Sequence, residues 1–185
     1  RRNQMIEFFH KLEPCLIGME ACASSHYWAR TLHAMGHSVK LIAPQFVKPY
    51  VKTNKNDAND AEAICEAMSR PNMRFVPLKT VEQQDLQAIH RIRTELVHQR
   101  TAKVNQTRGL LGEYGIVVTR SVEQLRKALP CILEDAENGL TGRFRILLGG
   151  LQADLMYLDE QIAKLDKEIK REANKNAAAK KLLLG

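Results

Sequence analysis

The 185-residue chain is 44% hydrophobic and 26% charged, the balance of a globular protein able to bury a core without covalent staples. Its four cysteines, Cys15, Cys22, Cys65 and Cys131, lack C-x-x-C spacing, which argues against a zinc site or disulfide framework and for a reducing cytoplasm; no apolar run approaches the roughly 18 residues of a membrane span. The net charge of +7 favours polyanionic partners, phosphate backbones foremost, although many basic proteins bind no nucleic acid.

In chain order, Met5, Ile6, Phe8 and Phe9 set a helical pattern over residues 3–12, stopped by Pro14. The apolar run Cys15-Leu16-Ile17-Gly18-Met19 suits a buried strand ending at Glu20. Ser24 or Ser25 is placed to cap a helix through Trp28, Leu32 and Met35, closed by Gly36. Val39-Lys40-Leu41-Ile42-Ala43 reads as a second buried strand, so the segment forms a βαβ unit with parallel strands. A helical turn is expected over 44–51. The polar stretch Thr53-Asn54-Lys55-Asn56-Asp57-Ala58-Asn59-Asp60 then opens a helix running to Met68. Arg74-Phe75-Val76-Pro77 suits a short edge strand.

Beyond residue 80 the chain reads as all helix: 81–112 first, then 121–135 interrupted by Pro130. Finally Phe144, Leu148, Leu151, Leu155, Leu158, Ile162, Leu165 and Ile169 recur in steps of four and three. That is the a/d seam of a coiled coil, which buries against another helix. The 81–112 helix folded back and the same helix of a second subunit are both open as partner; the second makes the protein a homo-oligomer. The division is therefore 1–80 as an α/β domain, 81–176 as a long-helix region, and 177–185 as the start of something further. The opening Arg1-Arg2-Asn3 and the terminal Leu182-Leu183-Leu184-Gly185 are those expected of a piece of a longer protein.

Asp57 and Asp60 stand three apart at a helix start, which puts both carboxylates on one face, about 5–6 Å apart at Cβ. Glu20 ends a buried strand, where ligands of open α/β sheets gather. Three carboxylates from two elements suit a hard cation such as Mg²⁺. The spacing fits equally well with Asn56 or Asp57 as a helix cap, Asp60 complementing the helix dipole and Glu20 as a polar strand end. Arg91, Arg93, Arg100, Lys103 and Arg108 concentrate positive charge between residues 90 and 110, while Lys48, Lys52 and Lys55 lead toward the acidic pair. Either set suits a phosphate backbone or a solvated face. Trp28, four residues before Leu32, reads as core; His26 lies near Glu20 at a helix start.

Gly18-Met19-Glu20-Ala21-Cys22, His26-Tyr27-Trp28-Ala29-Arg30, Gly36-His37 and Lys52-Thr53-Asn54-Lys55-Asn56-Asp57-Ala58-Asn59-Asp60-Ala61-Glu62-Ala63-Ile64 resemble the DEDD transposases of bacterial insertion sequences, relatives of the Piv invertases and of bridge-RNA-guided recombinases. The resemblance runs from about residue 3 to 185. It implies a RuvC-like, RNase H-type α/β catalytic domain with a coiled-coil arm, acting in DNA transposition. Its acidic tetrad binds Mg²⁺, with Mn²⁺ as a substitute, and Glu20, Asp57 and Asp60 match the second, third and fourth members. The first Asp and a nucleophilic serine domain have no counterpart in these residues, so this stretch alone is expected not to cleave DNA. The resemblance further implies DNA as substrate and a guide RNA as partner. Two other readings stay open: a truncated, non-catalytic module for nucleic-acid binding and dimerisation, and a RuvC-like junction-resolving nuclease.

Overall fold

The computed structural model describes residues 2–52 and 56–175. The expected small helix after residue 176, the proposed domain start at 177–185, and Lys55 lie outside the described residues. The chain divides into two compact units, Arg1–Val81 and Glu82–Gly185.

The first unit is built on a three-stranded sheet in the order β1 (Leu16–Glu20), β2 (Ser38–Ile42), β3 (Phe75–Val76). β1 and β2 are parallel, with Leu16 opposite Ser38 and Glu20 opposite Ile42. β3 runs antiparallel to β2 at the far edge, where Pro77 costs no ladder bond. Helix α1 (Arg2–His10) precedes the sheet and α2 (Ser25–Ala34) connects β1 to β2. Ala29 and Leu32 are the fully buried apolar residues of α2, and Trp28 is only half-buried, its ring edge-on to Tyr27. Gly36 adopts φ +96°, the left-handed turn a glycine permits after a helix. The expected serine cap is absent. Ser24 occupies the N-cap position but is itself left-handed (φ 66°), and its side chain makes no capping bond; in that conformation the hydroxyl is turned away from the helix N–H groups.

His37, at the entrance to β2, is 2% exposed and fully bonded. Its Nδ1 accepts the Cys15 N–H (3.2 Å), and Nε2 lies 3.0 Å from the Phe9 carbonyl. One neutral tautomer satisfies both, which ties α1 to the start of β1. After β2 come the single turn α3 (Pro44–Val47) and a 3-10 turn over Lys48–Tyr50. Helix α4 (Asp57–Met68) follows, capped by Asn56, whose Oδ1 accepts the Asn59 N–H at 2.8 Å. Such a cap contributes about 1 kcal/mol. Ile42, Val47, Ala63 and Ala67 form the buried cluster beneath it.

The second unit consists of α5 (Val81–Gly112), α6 (Val122–Glu134) and α7 (Gly142–Lys175). Its core gathers Val104, Leu111, Leu125, Leu129, Phe144, Leu148 and Leu155. The predicted seam faces this interior: Phe144, Leu148, Leu155, Leu158 and Ile162 are buried, and Leu151, Leu165 and Ile169 half-buried. Ion pairs join α5 to α7 in descending register, Arg93 to Asp166, Arg100 to Asp159 (3.1 Å) and Lys103 to Asp154 (2.9 Å). The two helices thus run antiparallel, side by side. Pro130 does not interrupt α6, contrary to the sequence expectation. Its ring sits on the exposed face while Leu125 and Leu129 are buried, so packing of the apolar stripe offsets the lost backbone bond. Arg145 sews the α6–α7 loop together, donating to the carbonyls of Leu133 (2.8 Å) and Asp135 (2.5 Å) and to Asn138 Oδ1 (2.7 Å).

Candidate functional site

Glu20 ends β1 and Asp57 and Asp60 open α4, two elements whose close approach is set by a glycine. A Cβ on Gly18 would fall 1.8 Å from Met68 Sδ and 2.9 Å from Ile64 Cγ2. A side chain there would require Met68 and Ile64 to shift, so the glycine lets α4 lie this close to the strand. Gly18 and Glu20 are two apart on β1 and therefore share a face of the sheet. Glu20 accordingly stands on the face that α4 covers. On α4, Asp57, Asp60, Ile64 and Met68 follow steps of three, four and four, which places them on one stripe. The two residues that touch Gly18 and the two aspartates thus belong to the same side of the helix. Asp60 and Glu20 are half-buried and Asp57 is exposed.

None of the three carboxylates makes an ion pair among the described residues. Their chemistry suits a hard divalent cation, which takes oxygen ligands. Their present geometry does not complete such a site: among the described residues, no group of three or more His, Cys, Asp or Glu side chains is gathered closely enough to hold a metal ion. The structure therefore unites the elements that carry the predicted ligands without closing their carboxylates into one cluster.

Nearby, Lys52 Nζ contacts Glu62 Oε1 (2.5 Å), and Lys48 is exposed on the 3-10 turn. His26, at the start of α2, accepts the Lys79 N–H at Nδ1 (3.3 Å). Burial above all, with the positive charges of Lys79 and Arg30 adding to it, holds its pKa below the ordinary value. The imidazole is thereby kept neutral, which makes it an acceptor and weakens it as an anion ligand.

The basic run on α5 is largely spoken for. Arg93, Arg100 and Lys103 face Asp166, Asp159 and Asp154 of α7, and Arg108 Nε donates to the Val118 carbonyl (3.0 Å). Asp159 also accepts from Arg126 of α6. Carboxylates thus offset Arg93 and Lys103 and are shared at Arg100, whereas Arg108, bonded to a neutral carbonyl, keeps its charge and Arg91 is exposed. Asp154, Asp159 and Asp166 escaped the sequence reading, yet a signal was there. With the seam at a and d, they fall at the flanking e and g positions, where coiled-coil helices place their ion pairs.

The transposase family model of the IS110-type DEDD enzymes matches residues 2–116. The chain belongs to this family. A probable family 20 transposase of Pseudomonas aeruginosa is 49% identical over 184 residues, 99% of this chain and 54% of the relative. The transposase for insertion sequence element IS1111A of Coxiella burnetii is 47% identical, covering 95% of this chain and 48% of the relative. That for element IS1328 of Yersinia enterocolitica is 42% identical, covering 98% and 54%. The chain spans about half the length of the curated relatives it matches. No solved structure matches it significantly. The transposase match begins in α1 and ends just beyond α5, so it takes in both β1 and α4, the elements that carry Glu20, Asp57 and Asp60. No helix among the described residues is long and apolar enough to cross a membrane.

Proposed function

We propose that this chain is the acidic-site portion of an insertion-sequence transposase that cuts and rejoins DNA with the help of a divalent cation. In this reading the first unit is part of an RNase H-like, RuvC-like domain, and the antiparallel helices of the second unit are a coiled-coil arm. Glu20, Asp57 and Asp60 serve as Mg²⁺ ligands, with Mn²⁺ as a substitute. The single observation that carries the reading is the packing of α4 across Gly18. It sets the stripe bearing Asp57 and Asp60 on the face of β1 that bears Glu20.

A bound Mg²⁺ would supply Lewis-acid polarisation of a phosphodiester. The chain's own residues do the rest of the binding. Lys48, Lys52 and Lys55 approach the acidic end of α4 in sequence and offer phosphate contacts there, and Arg91 offers one on α5. The internally paired Arg93, Arg100 and Lys103 instead hold the arm rigid. The transposase family and the transposase relatives support DNA as the substrate; a guide RNA rests on the resemblance of the acidic motifs alone.

The test is calorimetric titration of the chain with Mn²⁺. Glu20→Ala, Asp57→Ala and Asp60→Ala should each weaken binding by about tenfold or more. Equal binding by all four proteins would remove the carboxylate assignment. A second reading, a DNA-binding module that is not itself catalytic, takes the three carboxylates as they stand among the described residues, not gathered into one cluster. That reading gains if metal does not bind while Lys48→Glu and Arg91→Glu still weaken binding to duplex DNA.

A further inference from the structure

Helices α5 and α7 carry glycines for which their surroundings give no use. Gly109 lies within α5, and Gly149 and Gly150 stand side by side within α7. None of them has a positive φ, which among the described glycines belongs to Gly36, Gly115 and Gly139. A Cβ added to any of the three would meet nothing within 4 Å, so no neighbour needs the space. In this they differ from Gly18. A glycine inside a helix disfavours it about twofold to fivefold relative to alanine. These three positions therefore weaken both helices with no return in turn geometry or packing, and adjacent small residues are among the places where helices kink.

Their placement gives that weakness a use. The ion pairs Arg93–Asp166 and Arg100–Asp159 step seven residues forward along α5 and seven back along α7. Carried on, this register brings Gly109 level with Gly150, so the soft points of the two helices lie on one line. On one side of the line is a stalk, in which three ion pairs bind α7 from Asp154 onward to α5. On the other side Arg145 fastens the start of α7 to the α6–α7 loop, and Leu148 shares a core with Leu125 and Leu129 of α6 and Leu111 of α5. Each side is fixed within itself, and the glycines fall between. Val104 and Leu155 of the stalk also join that core, which limits how far a bend can go. Arg126 of α6 crosses the line to Asp159, but its side chain is 46% exposed, and water can replace such a contact at little cost.

We propose that the helical unit bends at a hinge line through Gly109 and the Gly149–Gly150 pair. Helix α6, with the adjoining ends of α5 and α7, moves as one body against the ion-paired stalk. Neither Glu20 nor α4 takes part, so the hinge is independent of the metal assignment.

Distances between paired spin labels read the bend. The four native cysteines are free and exposed, so Cys15, Cys22, Cys65 and Cys131 are first replaced by serine. In that background, Glu134→Cys on α6 and Lys170→Cys on α7 carry the labels, both at exposed positions. The distance distribution should be broad with the native glycines and should narrow when Gly109→Ala, Gly149→Ala and Gly150→Ala are combined. Each alanine should also lower the unfolding equilibrium constant about twofold to fivefold, read by urea denaturation. A distribution already narrow with the native glycines, one that stays broad with the three alanines, or an alanine that destabilises the chain would each overturn the hinge.

Discussion

His26 shows how one side chain couples its surroundings to pH. Its Nδ1 accepts the Lys79 N–H, a bond that requires an unprotonated nitrogen. Burial first, then Lys79 and Arg30, lowers its pKa from the ordinary 6.5. A lowered folded value means that the unfolded chain takes up the proton first as pH falls. The contribution of His26 is therefore fully present when both states are neutral. It is lost as pH drops below 6.5 toward the folded value. Urea unfolding at pH 7.5 and 5.5 should show a larger loss of stability for the native chain than for His26→Gln. Equal losses would show that His26 does not set the acid sensitivity. Asp57 and Asp60, by contrast, were legible at this scale, because a spacing of three on a helix fixes their common face whatever surrounds it.

At the scale of elements, the contact of α4 with β1 depends on an absent side chain. Gly18→Val should cost about 1–3 kcal/mol through overpacking against Ile64 and Met68. Met68→Ala should restore part of that loss to Gly18→Ala, because Met68 Sδ is the atom a Cβ meets first. Chemical denaturation of the single and double variants measures the coupling, and strict additivity would show that the two positions do not share one contact. The sequence made Gly18 visible only as a small residue within an apolar run. It did not say which helix needed the space. The helix starts were clearer in outline than in detail. Asn56 caps α4 as its residue type suggests, whereas Ser24 does not cap α2. Capping depends on the backbone angles at the cap as well as on the side chain, and those angles are imposed by the turn after β1.

For the whole molecule, each unit has its own buried cluster, one around Ile42 and Ala63, the other around Leu111, Leu125 and Leu148. Leu148 is fully buried in the second. Leu148→Ala should destabilise that unit by about 2–5 kcal/mol. Amide exchange resolved along the chain would then show protection falling throughout α5, α6 and α7 while the β1–β2 ladder keeps its own. Equal loss in both would mean that the chain unfolds as a single cooperative body.

Periodicity in the sequence determined the elements: apolar runs of about five residues gave β1 and β2, and the four-three repeat from Phe144 to Ile169 gave the inward face of α7. Both follow from local geometry, since the rise and turn of a helix or strand fix which residues share a side. Partnership was decided only by the tertiary structure. It turned Arg93, Arg100 and Lys103 toward the aspartates of α7, closed the seam within the chain, and laid α4 on Gly18 without bringing Glu20, Asp57 and Asp60 into one cluster. The physical reason is that a charge or a gap is satisfied by whatever lies within a few ångströms. Residues separated by some sixty positions in sequence, as Arg100 and Asp159 are, become neighbours only when the helices between them have packed.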